Sequence, residues 1–361
     1  MPGLFAIYGL VLYHFTHMNT ATRKDLRSRD EKRLAAKADT RPRVTLSFYR
    51  YVQIADPEAF RNTLLTVWGE LECRGRIYIA KEGINAQMDV LKDRFEEFDS
   101  FIQNSSELSG VPYKIAVEEG DLPSFFKLTV KVKDKIVADG LDDASFDVTN
   151  TGDYLTAAEI NAYVEDPDAV VVDMRNAYES EVGHFEGAIT PQVETFREEL
   201  AIAPKLLEPY KDKKIALYCT GGIRCEKASA WLKHNGFKDV RHLKGGIIDY
   251  AHQVEEQGLP NKFKGKNFVF DERLGERVGG EIIAHCHLCK ETKADTHYHC
   301  KNQVCHTLFI GCDDCVTKRE GYCSAWCVIT DKLPKRVKKW YARLYNQVIR
   351  KRVKFKKTRL A

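Results

Sequence analysis

The fold is indicated most directly by one stretch, Lys214-Ile215-Ala216-Leu217-Tyr218-Cys219-Thr220-Gly221-Gly222-Ile223-Arg224. After Lys214, the next four of its residues form an apolar run of the kind expected for a buried parallel strand. A cysteine loop follows, and a helical segment that includes Ala228–His234 comes next. Active sites of open α/β sheets lie at the carboxyl ends of strands, so Cys219 stands where chemistry is expected.

The loop itself predicts an activated thiol. Gly221 and Gly222 let the backbone curl so that several N–H groups point at one atom, and the following helix N-terminus favours negative charge there. Arg224 adds a fixed cation at the end of the loop. We therefore expect a lowered pKa and a thiolate at Cys219. The alternative is a buried cysteine before a tight turn, which accounts less well for the whole pattern.

Alternating strands and helices surround this loop and predict an α/β domain with a parallel sheet over residues 150–258. Thr156 and Glu159 form the pattern of a capping box at the start of an amphipathic helix. Ala169–Val172 is a further apolar run typical of a buried strand, and Val240–Leu243 is predicted to be a third strand.

A separate domain is predicted before it, at residues 43–140. Asp56 and Pro57 supply an N-cap and a first-turn proline for its first helix. The predicted order β-α-β-β-α-β is that of a ferredoxin-like α+β domain. One face of its last strand is either a solvated sheet face or an RNA-facing surface joined by Arg50 and Tyr51. That face carries Lys127, Thr129, Lys131 and Lys133.

The two ends of the chain differ from its centre. Residues 1–42 are expected to be a disordered extension or the result of a wrongly assigned start codon, with Met18 as the true start; a short membrane-touching segment is the alternative. No stretch reaches the roughly twenty apolar residues that span a bilayer. Residues 331–361 form a basic tail with thirteen Lys or Arg from Lys332 onward. This tail is either a solvated basic helix or an RNA contact.

Eight of the eleven cysteines crowd into the segment 259–330 as four close pairs. Such pairs favour metal ligation in a reducing cytoplasm over disulfides, and eight thiolates match two structural Zn²⁺ sites. The pairing of ligands is left open, and an iron–sulfur cluster or redox disulfides are the alternatives. The predicted ligands are Cys286, Cys289, Cys300, Cys305, Cys312, Cys315, Cys323 and Cys327.

The cysteine loop resembles the catalytic loop of the rhodanese family, whose cysteine can carry a persulfide. A second stretch supports this resemblance: Asp173-Met174-Arg175, Glu179 and Gly183-His184-Phe185-Glu186-Gly187-Ala188 follow the pattern D-x-R…E…G-H-x-x-G-A. The resemblance implies Cys219 and Arg224 as catalytic residues, supported by the loop residues Thr220, Gly221, Gly222 and Ile223.

Three neighbouring residues have open roles. Asp173 and Arg175 form either a structural ion pair at the strand end or a secondary part of the site. Cys225 either packs in the helix or resolves an oxidised Cys219 by disulfide exchange.

Across Arg43–Cys327 the chain further resembles the bacterial tRNA uridine(34) hydroxylases of the TrhO family. Four stretches carry this resemblance: Arg74–Tyr78, Glu82–Gln87, Tyr218–Ser229 and Gly265–Arg273. It implies a cytoplasmic tRNA-modifying oxidoreductase that uses molecular oxygen to convert the wobble uridine to 5-hydroxyuridine. The implied partner is tRNA; no membrane and no stable protein partner are expected, and the electron donor stays open.

Two chemical hypotheses follow for Cys219. Its thiolate could add at C6 of uracil, which makes C5 nucleophilic, while Arg224 steadies the developing charge. Alternatively, its sulfur could carry a persulfide or a peroxidic species. The competing functions are a rhodanese-type sulfurtransferase and a non-catalytic protein that binds zinc and RNA.

Overall fold

The first unit is a five-stranded sheet with helices on one face, seen in a computed structural model that describes residues 27–117, 123–142 and 146–344. Its strand order is β4-β1-β3-β2-β5. The strands are β1 (Arg43–Tyr51), β2 (Arg74–Ala80), β3 (Gly83–Leu91), β4 (Lys114–Ile115) and β5 (Leu128–Val132). The helices are α1 (Arg29–Ala38), α2 (Pro57–Glu70) and α3 (Phe95–Asn104).

The first four strands have the order of a ferredoxin-like fold, as predicted, and β5 adds a parallel strand beside β2. The Asp56 carboxylate caps α2 by accepting from the backbone N–H of Glu58 and Ala59. Trp68 of α2 and Phe98 of α3 are fully buried against one face of the sheet. The opposite face of β1, β2 and β3 is polar and is not covered by the helices of this domain.

The prediction that the chain before Arg43 would gain little by folding is wrong for Arg29–Ala38, which form helix α1. A capping box between Ser28 and Glu31 starts this helix, and Ala36 is buried. Arg33 also pairs with Glu272 at 2.9 Å. The capping box is a local signal that the sequence prediction missed, whereas the ion pair with Glu272 joins α1 to a distant part of the chain. Residues 1–26, including Met18, lie outside the described residues.

The second unit is the predicted α/β domain, built on a parallel sheet of order β6-β10-β9-β7. Apolar side chains cover both faces of this sheet, which is why strands β7 and β9 are nearly continuous apolar runs. Its strands are β6 (Asp153–Leu155), β7 (Ala169–Asp173), β8 (Gly183–Phe185), β9 (Lys214–Tyr218) and β10 (Asp239–Leu243), of which β8 lies outside the parallel sheet. Its helices are α4 (Ala157–Glu165), α5 (Ala177–Ser180), α6 (Phe196–Leu207), α7 (Ile223–His234) and α8 (Gly246–Gln257).

The third unit is the cysteine-rich segment, which is joined to the second through strand pairing. Strand β11 (Phe263–Asn267) pairs with β8 on one side and β12 (Glu276–Arg277) on the other. A hairpin and three helices follow: β13 (His297–His299), β14 (Leu308–Ile310), α9 (Asp313–Lys318), α10 (Ala325–Asp331) and α11 (Lys335–Leu344). Among the described residues, every helix is too short or too polar to cross a bilayer.

Candidate active site between the domains

Cys219 lies directly after β9 at the carboxyl end of the parallel sheet, with a solvent exposure of 0%. The N–H of Gly222 donates to its Sγ over 3.1 Å. Gly222 has φ +95°, and this left-handed conformation turns the loop into α7. The backbone carbonyls of Cys219 and Thr220 accept from Ile247 and Ile248 at the start of α8. The loop is therefore fixed from both sides.

The surroundings of Cys219 favour its ionised form. Burial alone would raise the pKa of this thiol, because it disfavours charge. The Cys225 thiol, the Arg224 charge and the backbone N–H groups of both residues outweigh burial and lower the pKa to about 6. A thiol at this position is mostly thiolate at neutral pH.

Arg224 is held by other protein groups rather than left free for a ligand. Its guanidinium binds both oxygens of Glu179, at 2.6 and 2.9 Å, and Nη2 lies 3.2 Å from Thr220 Oγ1. The Thr220 hydroxyl also donates to Glu179 over 3.3 Å. Arg224 thus braces the loop and supplies positive charge beside Cys219, with most of its donors already engaged.

Asp173 and Arg175 form a fully buried bidentate ion pair, with Nε–Oδ1 at 2.8 Å and Nη2–Oδ2 at 2.7 Å. The guanidinium also donates to the carbonyl of Gly183. Neither residue lines the cavity beside Cys219. This geometry is the one expected if Asp173 and Arg175 form a structural ion pair at the end of the strand. Cys225 is also fully buried, and burial followed by its contact with Cys219 raises its pKa well above the ordinary value.

A cavity of about 300 Å³ opens beside the cysteine loop. Its walls come from three parts of the chain: the polar face of the ferredoxin-like sheet, the loop, and the segment after β11. All four stretches that carry the family resemblance contribute to it. The contributing residues are Arg76, Tyr78, Asn85, Gln87, Cys219, Thr220, Gly221, Ile223, Arg224, Val269, Phe270, Asp271 and Arg273.

Contacts between the two domains hold these walls together. The Tyr49 hydroxyl donates to Glu226 of α7 over 2.9 Å. Lys227, only 1% exposed, lies 3.0 Å from Glu82 and 2.6 Å from Asp139. Hydrogen bonds and ion pairs therefore join the two domains around the cavity.

Lys114 and Tyr49 of the ferredoxin-like domain line the cavity, and the sequence alone did not identify either as a site residue. Lys114 belongs to a two-residue strand and Tyr49 to an amphipathic one, so no local motif marks them. The signal that could have found them is side-chain alternation: Ser47 pairs with Lys114 and Tyr49 lies two residues further, on the same face.

The basic face of β5 continues the cavity wall. Thr129 pairs with Arg76 and Lys131 with Tyr78, so these side chains share one face, and Lys127, Lys131 and Lys133 are exposed. Tyr51 belongs to the same side of the sheet, with its hydroxyl 3.5 Å from the carbonyl of Ile223. Arg50 does not: its side chain donates to the carbonyl of Ser109, because neighbouring residues of a strand point to opposite faces.

The eight predicted metal ligands form two groups of four, and the pairs alternate between them. In each group the sulfur atoms lie within 4.8 Å of one another. Four thiolates about 2.3 Å from a tetrahedral Zn²⁺ are about 3.8 Å apart, and Cys323 lies 3.7 Å from Cys305 and 3.6 Å from Cys327. The donor sets fit two metal ions. They are Cys286, Cys289, Cys312 and Cys315, and Cys300, Cys305, Cys323 and Cys327.

The described part of the basic tail is helix α11. Its Trp340 side chain is 63% exposed, whereas Tyr341 is buried and accepts a hydrogen bond from the Trp326 indole over 3.0 Å. Lys338 pairs with Asp331. The helix is therefore docked on α10, while Tyr345 and Phe355 of the tail lie outside the described residues.

Each folded unit matches a known family. Residues 43–136 match the UPF0176 acylphosphatase-like domain, 156–253 the rhodanese-like domain and 264–328 the rhodanese C-terminal region. Two proteins named tRNA uridine(34) hydroxylase, from Salmonella typhi and Salmonella heidelberg, are 53% identical over 308 residues, which is 85% of this chain and 87% of theirs. A solved rhodanese-related protein from Thermoplasma volcanium is 27% identical, covers 30% of this chain and 95% of its own, and has a TM-score of 0.24.

Proposed function

Because this chain belongs to the tRNA uridine(34) hydroxylase family, we propose that it hydroxylates the wobble uridine of tRNA at C5. In this proposal molecular oxygen is the co-substrate and Cys219 is the catalytic residue. The observation that carries the proposal is a buried, ionisable cysteine that opens onto a cavity between two domains.

Uracil needs to be activated before C5 can react with an oxidant, and a thiolate can provide this activation. Addition of the Cys219 sulfur at C6 breaks the C5=C6 double bond and makes C5 electron-rich, ready to react with an oxidant. The Cys225 thiol and the charge of Arg224 keep the sulfur ionised before the base arrives, and the N–H of Gly222 is already directed at Sγ. Ordinary aqueous thiols at neutral pH are mostly protonated and would add several-fold more slowly.

A cavity of about 300 Å³ lies at the small end of the range for ligand pockets, roughly 300–1,000 Å³. Such a volume suits a single base turned out of its stack better than a helical segment of RNA. Lys127, Lys131 and Lys133 on the adjoining strand face supply charge for the phosphates of the anticodon arm.

The cysteine clusters are proposed to hold structural Zn²⁺, which would order the segment that carries one wall of the cavity. A protein that acts on tRNA and uses reduced thiols is proposed to work in the cytoplasm. Asp173 and Arg175 are proposed to stabilise the strand end, and Cys225 to tune Cys219 rather than to resolve it.

Nucleoside mass spectrometry of tRNA from a deletion strain tests the function. We expect loss of 5-hydroxyuridine and its derivatives, restored by the wild-type gene and not by Cys219→Ser. A Cys73→Ser gene is the matched control, since Cys73 is buried in the core of the other domain. Loss of thiolated nucleosides instead would identify a sulfurtransferase, and unchanged tRNA would contradict both activities.

A further inference from the structure

The cavity contains a buried cation that the chemistry above leaves unused. Lys114 lies on β4 and is only 4% exposed. Its Nζ is 4.7 Å from the centre of the Tyr49 ring, and a Cβ added to Gly221 would lie 3.6 Å from its Cδ. The ammonium group therefore reaches the cysteine loop from the opposite wall.

Within the described residues, Lys114 forms no ion pair within 4.0 Å and donates no hydrogen bond to the protein. Burial lowers the pKa of Lys114, and the more distant negative charges of Asp249, Cys219 and Glu226 oppose this shift. The other buried cations of the cavity are committed: Arg224 to Glu179, and Arg273 to Asp271 and Glu276. A buried cation that contacts no carboxylate is unfavourable, so a purely packing role would be filled better by an apolar residue. From the wall opposite the cysteine loop, its ammonium group can bind a negative charge that forms inside the cavity.

The backbone around Lys114 is fixed by the rhodanese domain. The ring of His252 on α8 hydrogen-bonds with the carbonyl of Ile115 over 2.9 Å, and Ile115 is the other residue of β4. Ser47 pairs with Lys114 on the other side. The ammonium group is thus positioned by both domains and need not be ordered by the substrate.

We propose that Lys114 is a second catalytic residue, whose ammonium group binds a carbonyl oxygen of the target uracil and stabilises the charge created by thiolate addition. This inference rests on the proposed function. In the step, an S–C6 bond forms and the C5=C6 π bond breaks, and its electron pair moves through C4 onto O4. The negative charge of Cys219 is thereby transferred to O4, where Lys114 donates a hydrogen bond, and no oxidant or reductant takes part.

Exchange of the uridine C5 hydrogen for deuterium isolates this step, because it needs addition at C6 but no oxygen. We would measure it anaerobically in D₂O by mass spectrometry, with a synthetic anticodon stem-loop that carries a wobble uridine. The variants are Lys114→Met, which keeps the length of the side chain, and Lys114→Arg, which keeps the charge. Lys92→Met, at an exposed lysine of the same domain, is the control.

We expect exchange to fall about 10²–10³-fold in Lys114→Met, the usual effect of removing one donor from a developing oxyanion. RNA affinity should change by only a few fold, the thermal midpoint should not fall, and Lys114→Arg should recover part of the rate. A Lys114→Met protein that exchanges and hydroxylates at the wild-type rate overturns this inference alone. Wild-type protein that shows neither exchange nor hydroxylation overturns the proposed function as well.

Discussion

The lowered pKa of Cys219 predicts a change in reactivity that is much smaller than the change in ionisation. At pH 7, a thiol with a pKa of about 6 is about 90% ionised, whereas one with the ordinary value of 9.0 is about 1% ionised. Thiolates of low pKa are weaker nucleophiles, with a Brønsted coefficient of about 0.4–0.5, so the lowered pKa costs about 15–30-fold in intrinsic reactivity. The net gain at pH 7 is therefore only about 3–6-fold.

The pH profile of alkylation therefore distinguishes a lowered Cys219 pKa from an ordinary one better than the alkylation rate at a single pH does. Iodoacetamide reacts with the thiolate, so the rate should rise with pH, reach half its maximum near pH 6 and be flat above. Trypsin releases Ile215–Arg224, in which Cys219 is the only cysteine, so mass spectrometry can follow it separately. A midpoint above pH 8 in the wild-type protein would refute the reasoning.

A variant of Cys225 tests the cause of the shift. Cys225→Ala removes the thiol contact that is the largest of the effects lowering the Cys219 pKa, so the midpoint should move to higher pH. Cys73→Ala removes a buried thiol elsewhere and should leave the midpoint where it is. An unchanged midpoint in Cys225→Ala would mean that Arg224 and the loop amides account for the ionisation without it.

Three further outcomes are expected. Arg175→Met leaves Asp173 buried without its cation and should lower the free energy of unfolding by about 3–5 kcal/mol in urea denaturation; a loss below about 1 kcal/mol would contradict the structural role. Gly222→Ala forces a left-handed alanine, at about 1–2 kcal/mol, and puts Cβ 2.8 Å from the Tyr49 hydroxyl, so hydroxylation should fall while tRNA binding persists in a filter assay. Chelation should release two Zn²⁺ per chain and abolish the thermal transition of the C-terminal segment, and a metal content of one ion or none would contradict the two-site arrangement.

Local chemistry explains which features could be predicted from the sequence. The strand, glycine pair and helix around Cys219 are neighbours along the chain, so the loop geometry and the lowered pKa follow from one short stretch. The ligand pairing at the metal sites could not be predicted, because Cys286 and Cys300 start groups whose members alternate along the chain. Side-chain alternation could place Lys114 on the polar face of its sheet, but only the packing of the two domains brings that face to the cysteine loop.

The two domains therefore contribute different parts of the proposed reaction. The main effects that lower the Cys219 pKa come from the rhodanese loop, through Cys225 and Arg224. The wall that faces the loop from the ferredoxin-like domain carries the ammonium group of Lys114 and, 4.7 Å from it, the ring of Tyr49. Sulfur transfer needs only the first contribution. In the proposed reaction, recognition of a base and stabilisation of charge on its carbonyl oxygen use the second, and the contacts of Glu226 and Lys227 across the interface hold the two contributions together.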